Sequence, residues 1–194
     1  MKKNKKDYQS DQDYYKIIKD ILEHEDFQKR KEYQHHGKIS VYDHSLSVSY
    51  LAYKISKKIN IIDSESVAIG GLLHDFYYEP WQTRTDKQPL LKKHGFVHAN
   101  EALQNSKKYF PNHMNQKIEN IIERHMFPLN KVPPKYKEAW LIVLIDKWIS
   151  LEALKEPTFF KSIIGIKENK EKKTNGKRKI RIIKELPNKI FKKK

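Results

Sequence analysis

The sequence predicts an all-α fold: a single bundle of five or more helices with a basic, partly flexible C-terminal extension. Three observations predict it. Apolar residues recur at three- and four-residue intervals through most of the chain, no segment before residue 157 shows convincing strand alternation, and the prolines fall between the periodic stretches. With 194 residues, 38% hydrophobic and 33% charged, one core of ordinary size can close, whereas two full domains would be a squeeze. Residues 11–155 are therefore expected to form the helical domain and 156–194 the basic extension.

Residues 1–10 are polar and expected to fray. Periodicity begins where Tyr14, Ile17, Ile18, Ile21 and Leu22 recur at helical spacing, giving a first helix. After Gly37 the series Val41, Leu46, Val48, Leu51, Ala52, Ile55 and Ile59 predicts a second, with Ser40 or Asp43 suited to cap it and His44 on its first turn. A third should start near Ser64, capped by Asp63 or Ser64, run through Val67, Ala68, Ile69, Leu72 and Leu73, and end at His74-Asp75. From Phe76 to Phe96 the chain carries Pro80, Pro89 and Gly95 and no clear period, which predicts a long loop. Long loops in compact domains are often functional, so this one is a candidate substrate lid. Helices over 97–108, 115–126 and 135–154 follow, separated by Pro111, Pro128, Pro133 and Pro134. Beyond Pro157 the alternation Lys179-Ile180-Arg181-Ile182-Ile183 predicts a short strand, and residues 167–179, poor in apolar side chains, are expected to be mobile.

The chain has no cysteine, which excludes disulfides and leaves His, Asp and Glu as the available ligands for a metal. Lysines at the N-terminus are not followed by an apolar stretch, and nowhere do eighteen uncharged apolar residues run together, so a soluble cytoplasmic protein with no membrane partner is expected. The formal charge of +16 suggests nucleic acid, because Lys and Arg clusters neutralise phosphates. Its distribution is uneven: residues 156–194 hold 14 Lys or Arg against 4 Asp or Glu, so +10 of the +16 belongs to the extension. Weak nucleic-acid contact by that tail is one reading, and a compositional bias toward Lys, Ile and Asn is the other.

Nine histidines are present, and the informative ones sit beside acids at helix termini. They occur in YDHSL at 42–46, LLHDF at 72–76, FVHAN at 96–100 and ERHMF at 123–127, followed by an aspartate in LIDKW at 144–148. Imidazole nitrogens and carboxylate oxygens bind Zn, Fe, Mn, Co or Ni well, and a bundle lets side chains distant in sequence converge on one ion. Asp146 is the most telling of the set. Flanked by Val143, Leu144, Ile145, Trp148 and Ile149, it is at risk of burial, and a buried carboxylate costs heavily unless it is paired or bound to metal. A salt bridge to Lys147 or Arg124 is the alternative.

His44, the adjacent His74-Asp75 pair and the late Asp146 resemble the four-ligand signature of HD-domain metal-dependent phosphohydrolases, and residues 35–154 resemble small bacterial members of that superfamily. The resemblance implies an HD-type bundle in which these four side chains hold a divalent transition metal and a phosphate ester or anhydride is hydrolysed. A further histidine pair between the HD dipeptide and the last aspartate resembles members that bind two ions. His98 and His125 take that role by spacing, His94 being the alternative to His98, and Asp75 would then bridge the ions. The chain lacks a GYP-type motif, so a cyclic-dinucleotide substrate is not implied.

The resemblance makes a phosphorylated small molecule the expected substrate, a nucleotide first. Asp75 and Lys147 are the catalytic candidates, Asp75 as proton acceptor and Lys147 as a cation for a phosphoryl oxygen. His36, Arg84 and Lys147, with His35 and Lys92 beside them, are the candidate phosphate contacts. Phe76, Tyr77, Tyr78 and Trp81 either stack on a base or pack the bundle. Two other readings share these residues: a nucleic-acid-binding protein that works through its basic tail with the bundle as scaffold, and a di-iron centre for oxygen chemistry.

Overall fold

The second and third predicted helices lie at the centre of the molecule. In the computed structural model, which describes residues 7–34, 39–60, 62–77, 90–155 and 159–165, the elements are α1 (Gln12–Leu22), α2 (Glu25–Gln28), α3 (Val41–Ser56), α4 (Ser64–Leu73), α5 (Leu90–Tyr109), α6 (Gln116–Arg124), α7 (Lys137–Lys155) and α8 (Phe159–Ile164). Short 3₁₀ turns cover Lys29–Lys31 and Pro111–His113, and the one pairing of extended backbone among the described residues is a bridge between Gln34 and Ser40. The fold is all-helical, as predicted. His35, His36, Tyr78, Trp81, Arg84, the predicted strand at 179–183 and the basic stretch from 166 onward lie outside the described residues, as do the side chains of Lys92 and His94.

A helix that is apolar all round must be buried all round. In α4, SESVAIGGLL, every residue from Ser66 to Leu73 is buried, and in α3 only Asp43 and Lys54 escape burial. One core packs α1, α3, α4, α5 and α6 together through Tyr14, Ile18, Leu46, Tyr50, Leu72, Leu73, Leu103 and Ile122. A second packs α3 against α7 through Val48, Ile55, Ile142, Ile145 and Ile149. The hydroxyls buried in α3 are satisfied where they lie: Ser47 donates to the Asp43 carbonyl at 2.7 Å, and Ser49 donates to the Ala68 carbonyl at 2.6 Å while pairing with the Tyr14 hydroxyl at 2.7 Å.

The close approach of these helices rests on two glycines. A Cβ on Gly71 would stand 2.9 Å from the Ser49 Cα and 3.0 Å from Ile142 Cδ1, and a Cβ on Gly70 would stand 2.7 Å from Ile121 Cδ1. Gly71 thus sets the α3–α4 spacing and Gly70 the α4–α6 spacing.

The caps follow the sequence. Ser40 accepts the Asp43 N–H at the start of α3, Asp63 accepts the Ser66 N–H at the start of α4, and Asn115 accepts from Lys117 and Ile118 at the start of α6. Three differences from the expected pattern stand out. Helix α5 begins at Leu90, well inside the expected loop, because Leu90, Leu91, Lys92 and Lys93 are strong helix formers and a single internal glycine, Gly95, costs only about 1 kcal/mol. Residues 7–10 form a turn rather than a frayed end: Asp7 accepts the Ser10 N–H, and Tyr8 N–H donates to the Ile164 carbonyl at 3.2 Å. Helix α8 buries Ile164 in the first core.

An ion network ties the starts of α4, α6 and α7. Lys117 reaches Asp63 at 3.2 Å and Glu138 at 3.1 Å, and Glu138 also accepts the Asp63 N–H. Burial alone would raise both carboxyls; the Ser66 donors and Lys117 hold Asp63 low, while the backbone N–H groups and Lys117 hold Glu138 low. A depressed carboxylate adds stability above its unfolded pKa of about 4, which is lost as pH falls through the folded value. Lys117→Met is therefore expected to lower stability at neutral pH by under about 1 kcal/mol, a small effect because the ammonium is 38% exposed. Thermal melts of both proteins from pH 7 to pH 3 check this: the gap should close on acidification, and a constant gap would contradict it.

Candidate metal centre

Five helices deliver the six side chains singled out above to one buried place. His44 sits on the first turn of α3, His98 within α5 and Asp146 within α7, while His74 and His125 follow the last residues of α4 and α6 as their C-caps. The two C-capping histidines repeat one local arrangement. His74 Nδ1 donates to the Gly71 carbonyl at 2.8 Å, and His125 Nδ1 donates to the Ile122 carbonyl at 2.7 Å, each using a carbonyl three residues back that the helix end leaves over. That bond fixes the ring and turns Nε2 toward Asp75. Both Nε2 atoms are fully buried and make no hydrogen bond.

Asp75 is the centre of the arrangement. Its Oδ2 faces His44 Nε2 at 3.7 Å and His74 Nε2 at 3.5 Å, and its Oδ1 faces His98 Nε2 at 2.6 Å and His125 Nε2 at 3.4 Å. Asp146 Oδ1 closes the first half at 3.0 Å from His44 Nε2 and 3.7 Å from His74 Nε2. The result is two groups that could hold an ion, His44–His74–Asp75 and Asp75–His98–His125, sharing one carboxylate.

The electrostatics call for a cation. Burial opposes charge on Asp75 and Asp146, yet both are held well below the usual carboxylate range, Asp75 by His74, His98 and His125 and Asp146 by His44 and His74. Burial likewise disfavours a proton on His74, but Asp75 and Asp146 outweigh it and push its pKa up to about 9. His125 is pushed down by burial and stays neutral, the form that ligates metal. Both α4 and α6 also point their C-terminal ends, where the helix dipole is negative, toward the cluster. Orphaned imidazole nitrogens, a shared carboxylate and a purely N/O donor set fit a divalent transition metal.

The other predicted residues divide. Asp146 pairs with histidines rather than with Lys147 or Arg124; Arg124 pairs with Glu123 at 3.0 Å. Lys147 lies beside the cluster, half-buried, and donates from Nζ to the His125 carbonyl at 3.1 Å. Burial lowers its pKa, and Asp146 and Asp75 raise it in part. Phe76 is core, packed on Phe27 and Phe110, so it is not free to stack on a base. Tyr77 is also buried and lies with its ring centroid 4.2 Å from that of His98, a contact that steadies His98 and that sequence reasoning missed. The orienting carbonyls of Gly71 and Ile122 were missed as well, although a histidine just past a helix end is the signal that would have found them.

No helix among the described residues is long and apolar enough to cross a membrane. Searches of curated proteins and of solved structures return no match. A family model, that of the HD domain, matches residues 41–150, the span from the first turn of α3 to within α7 that contains all six side chains. With more than half its length matched and an all-helical fold, the chain belongs to the HD domain superfamily of metal-dependent phosphohydrolases.

Proposed function

We propose that this protein is a metal-dependent phosphohydrolase that cleaves a phosphate ester or anhydride of a small molecule, with a nucleotide as the first substrate class. The observation that carries the reading is the shared carboxylate: Asp75 turns one oxygen to His44 and His74 and the other to His98 and His125. His44, His74, Asp75 and Asp146 would hold one ion, and Asp75, His98 and His125 a second, with Fe, Mn, Zn, Co and Ni all suited to the donors. When bound, such ions supply a nucleophilic water at neutral pH and neutralise charge developing on the phosphoryl oxygens.

The chain's own residues do the rest. Gly71 and Ile122 carbonyls hold the His74 and His125 rings so that Nε2 points inward. The Asp75 carboxylate, ionised throughout the neutral range, would be shared by the two ions, and would serve as proton acceptor for the attacking water where only one is bound. Lys147 Nζ uses one of its three donors on the His125 carbonyl, and the others are available to a phosphoryl oxygen. The nucleotide preference rests on the family, whose members commonly act on nucleotides.

Turnover of a nucleotide panel and of an aryl phosphate by the metal-supplemented protein tests the reading, with Lys147→Met alongside. Hydrolysis by the wild type is expected. The substitution should lower kcat/KM by about 10- to 100-fold, the worth of one charge-assisted hydrogen bond, without lowering metal content. A metal-loaded protein that turns over no member of the panel would overturn it.

A further inference from the structure

Exposed large apolar side chains are concentrated on one part of the surface. Among the described residues they are Val97, Leu129, Val132, Trp140, Leu144 and Leu151, and all but Val97 lie between residues 129 and 151. At 100° per residue, Trp140, Leu144 and Leu151 fall within about 40° of one another on α7, on the side away from Asp146. The Phe127 ring packs edge-on against Trp140 at 5.3 Å, which holds the loop carrying Leu129 and Val132 against the same helix. Scattered apolar residues on a surface need no explanation, whereas a concentration of them marks something that binds there.

The charge around this face is predominantly positive. Between Met126 and Leu151 the acids are Glu138 and Asp146, both turned inward and buried, while Lys131, Lys135 and Lys137 are exposed. Just outside that segment Glu123 is paired with Arg124 and Glu152 with Lys155, each at 3.0 Å. A second copy of the chain would bring lysines against lysines. Nucleic acid would match the charge but has no use for aliphatic tips such as Leu129, Val132, Leu144 and Leu151. Protein interfaces favour Arg and are depleted in Lys, and this face has lysines and no exposed arginine. Leucines and valine flanked by lysines, with a tryptophan at the boundary, match the acyl-headgroup region of an anionic bilayer, where apolar side chains enter and ammonium groups stay with the phosphates.

We propose that the α7 face, with the loop before it, docks the protein on an anionic lipid surface. The binding is peripheral and reversible, and it leaves the buried metal cluster on the opposite side of α7 intact.

Flotation of the full chain with phosphatidylcholine vesicles, with and without phosphatidylserine, tests this, together with quenching of tryptophan emission by brominated acyl chains. The protein should float with the anionic vesicles at low salt and not with the neutral ones. Emission should be quenched in the wild type and much less in Trp140→Phe. Leu144→Glu/Leu151→Glu, two surface changes, should weaken vesicle binding by about tenfold or more, since each leucine loses its apolar burial. Absence of flotation would overturn the proposal, as would binding that the double substitution leaves unchanged with no quenching, which would assign the affinity to basic residues elsewhere. A dimer in light scattering that Leu144→Glu dissociates, with no vesicle binding, would give the face to a second copy.

Discussion

Asp75→Asn is expected to lower kcat/KM by about 10³-fold or more while leaving the helical content intact. The substitution keeps volume and one acceptor oxygen but turns the other into an NH₂ group. Whichever way the amide settles, one half of the cluster faces a donor where it needs an acceptor: either His44 and His74, or His98 and His125. The fall in rate is the several kcal/mol of charge stabilisation that a second ion and an ionised carboxylate supply. Metal per chain should fall with activity, which elemental analysis and turnover of the same preparation would establish. Full activity in Asp75→Asn would remove the bridging role altogether.

Gly71→Val should have the largest effect on stability. The new side chain meets the Ser49 backbone at 2.9 Å and Ile142 at 3.0 Å, so α3, α4 or α7 must move. Overpacking of this kind costs about 3 kcal/mol, which for a chain of this size lowers Tm by about 10 °C. The shift also displaces the Gly71 carbonyl that orients His74, so metal affinity should fall by about 10- to 100-fold. Calorimetry and a metal titration of the folded variant measure the two effects. A variant with unchanged Tm would show that α3 and α4 are free to separate.

Much of this was legible in the sequence, for identifiable reasons. Helical periodicity located α1, α3, α4, α6 and α7 because each must present an apolar stripe, and Ser40 and Asp63 were among the residues that announced the starts of α3 and α4 because a short polar side chain can satisfy a free N–H. His44, His74, Asp75 and His125 could be picked out because they stand at helix ends, and Asp146 because it stands inside an apolar run; His98, expected at a helix start, lies within α5 because that helix begins eight residues earlier. What was missed depends on tertiary contact. Gly95 read as a breaker, yet α5 starts five residues before it and runs through it. Spacing favoured His98 over His94, and His98 Nε2 stands 2.6 Å from Asp75 Oδ1, while the side chain of His94 lies outside the described residues. The Asp63–Lys117–Glu138 network spans 75 residues and left no local pattern. Tyr77 looked as suited to a ligand as to the core until it was seen packed against His98.

The most direct test is the metal content of protein purified without chelator, measured beside Asp146→Ala. Asp146 closes the half of the cluster that also holds His44 and His74, so the wild type should carry at least one transition-metal ion per chain and the variant should lose it together with hydrolysis. A wild-type chain that holds no metal even after supplementation would contradict the reading of these six side chains as a metal centre.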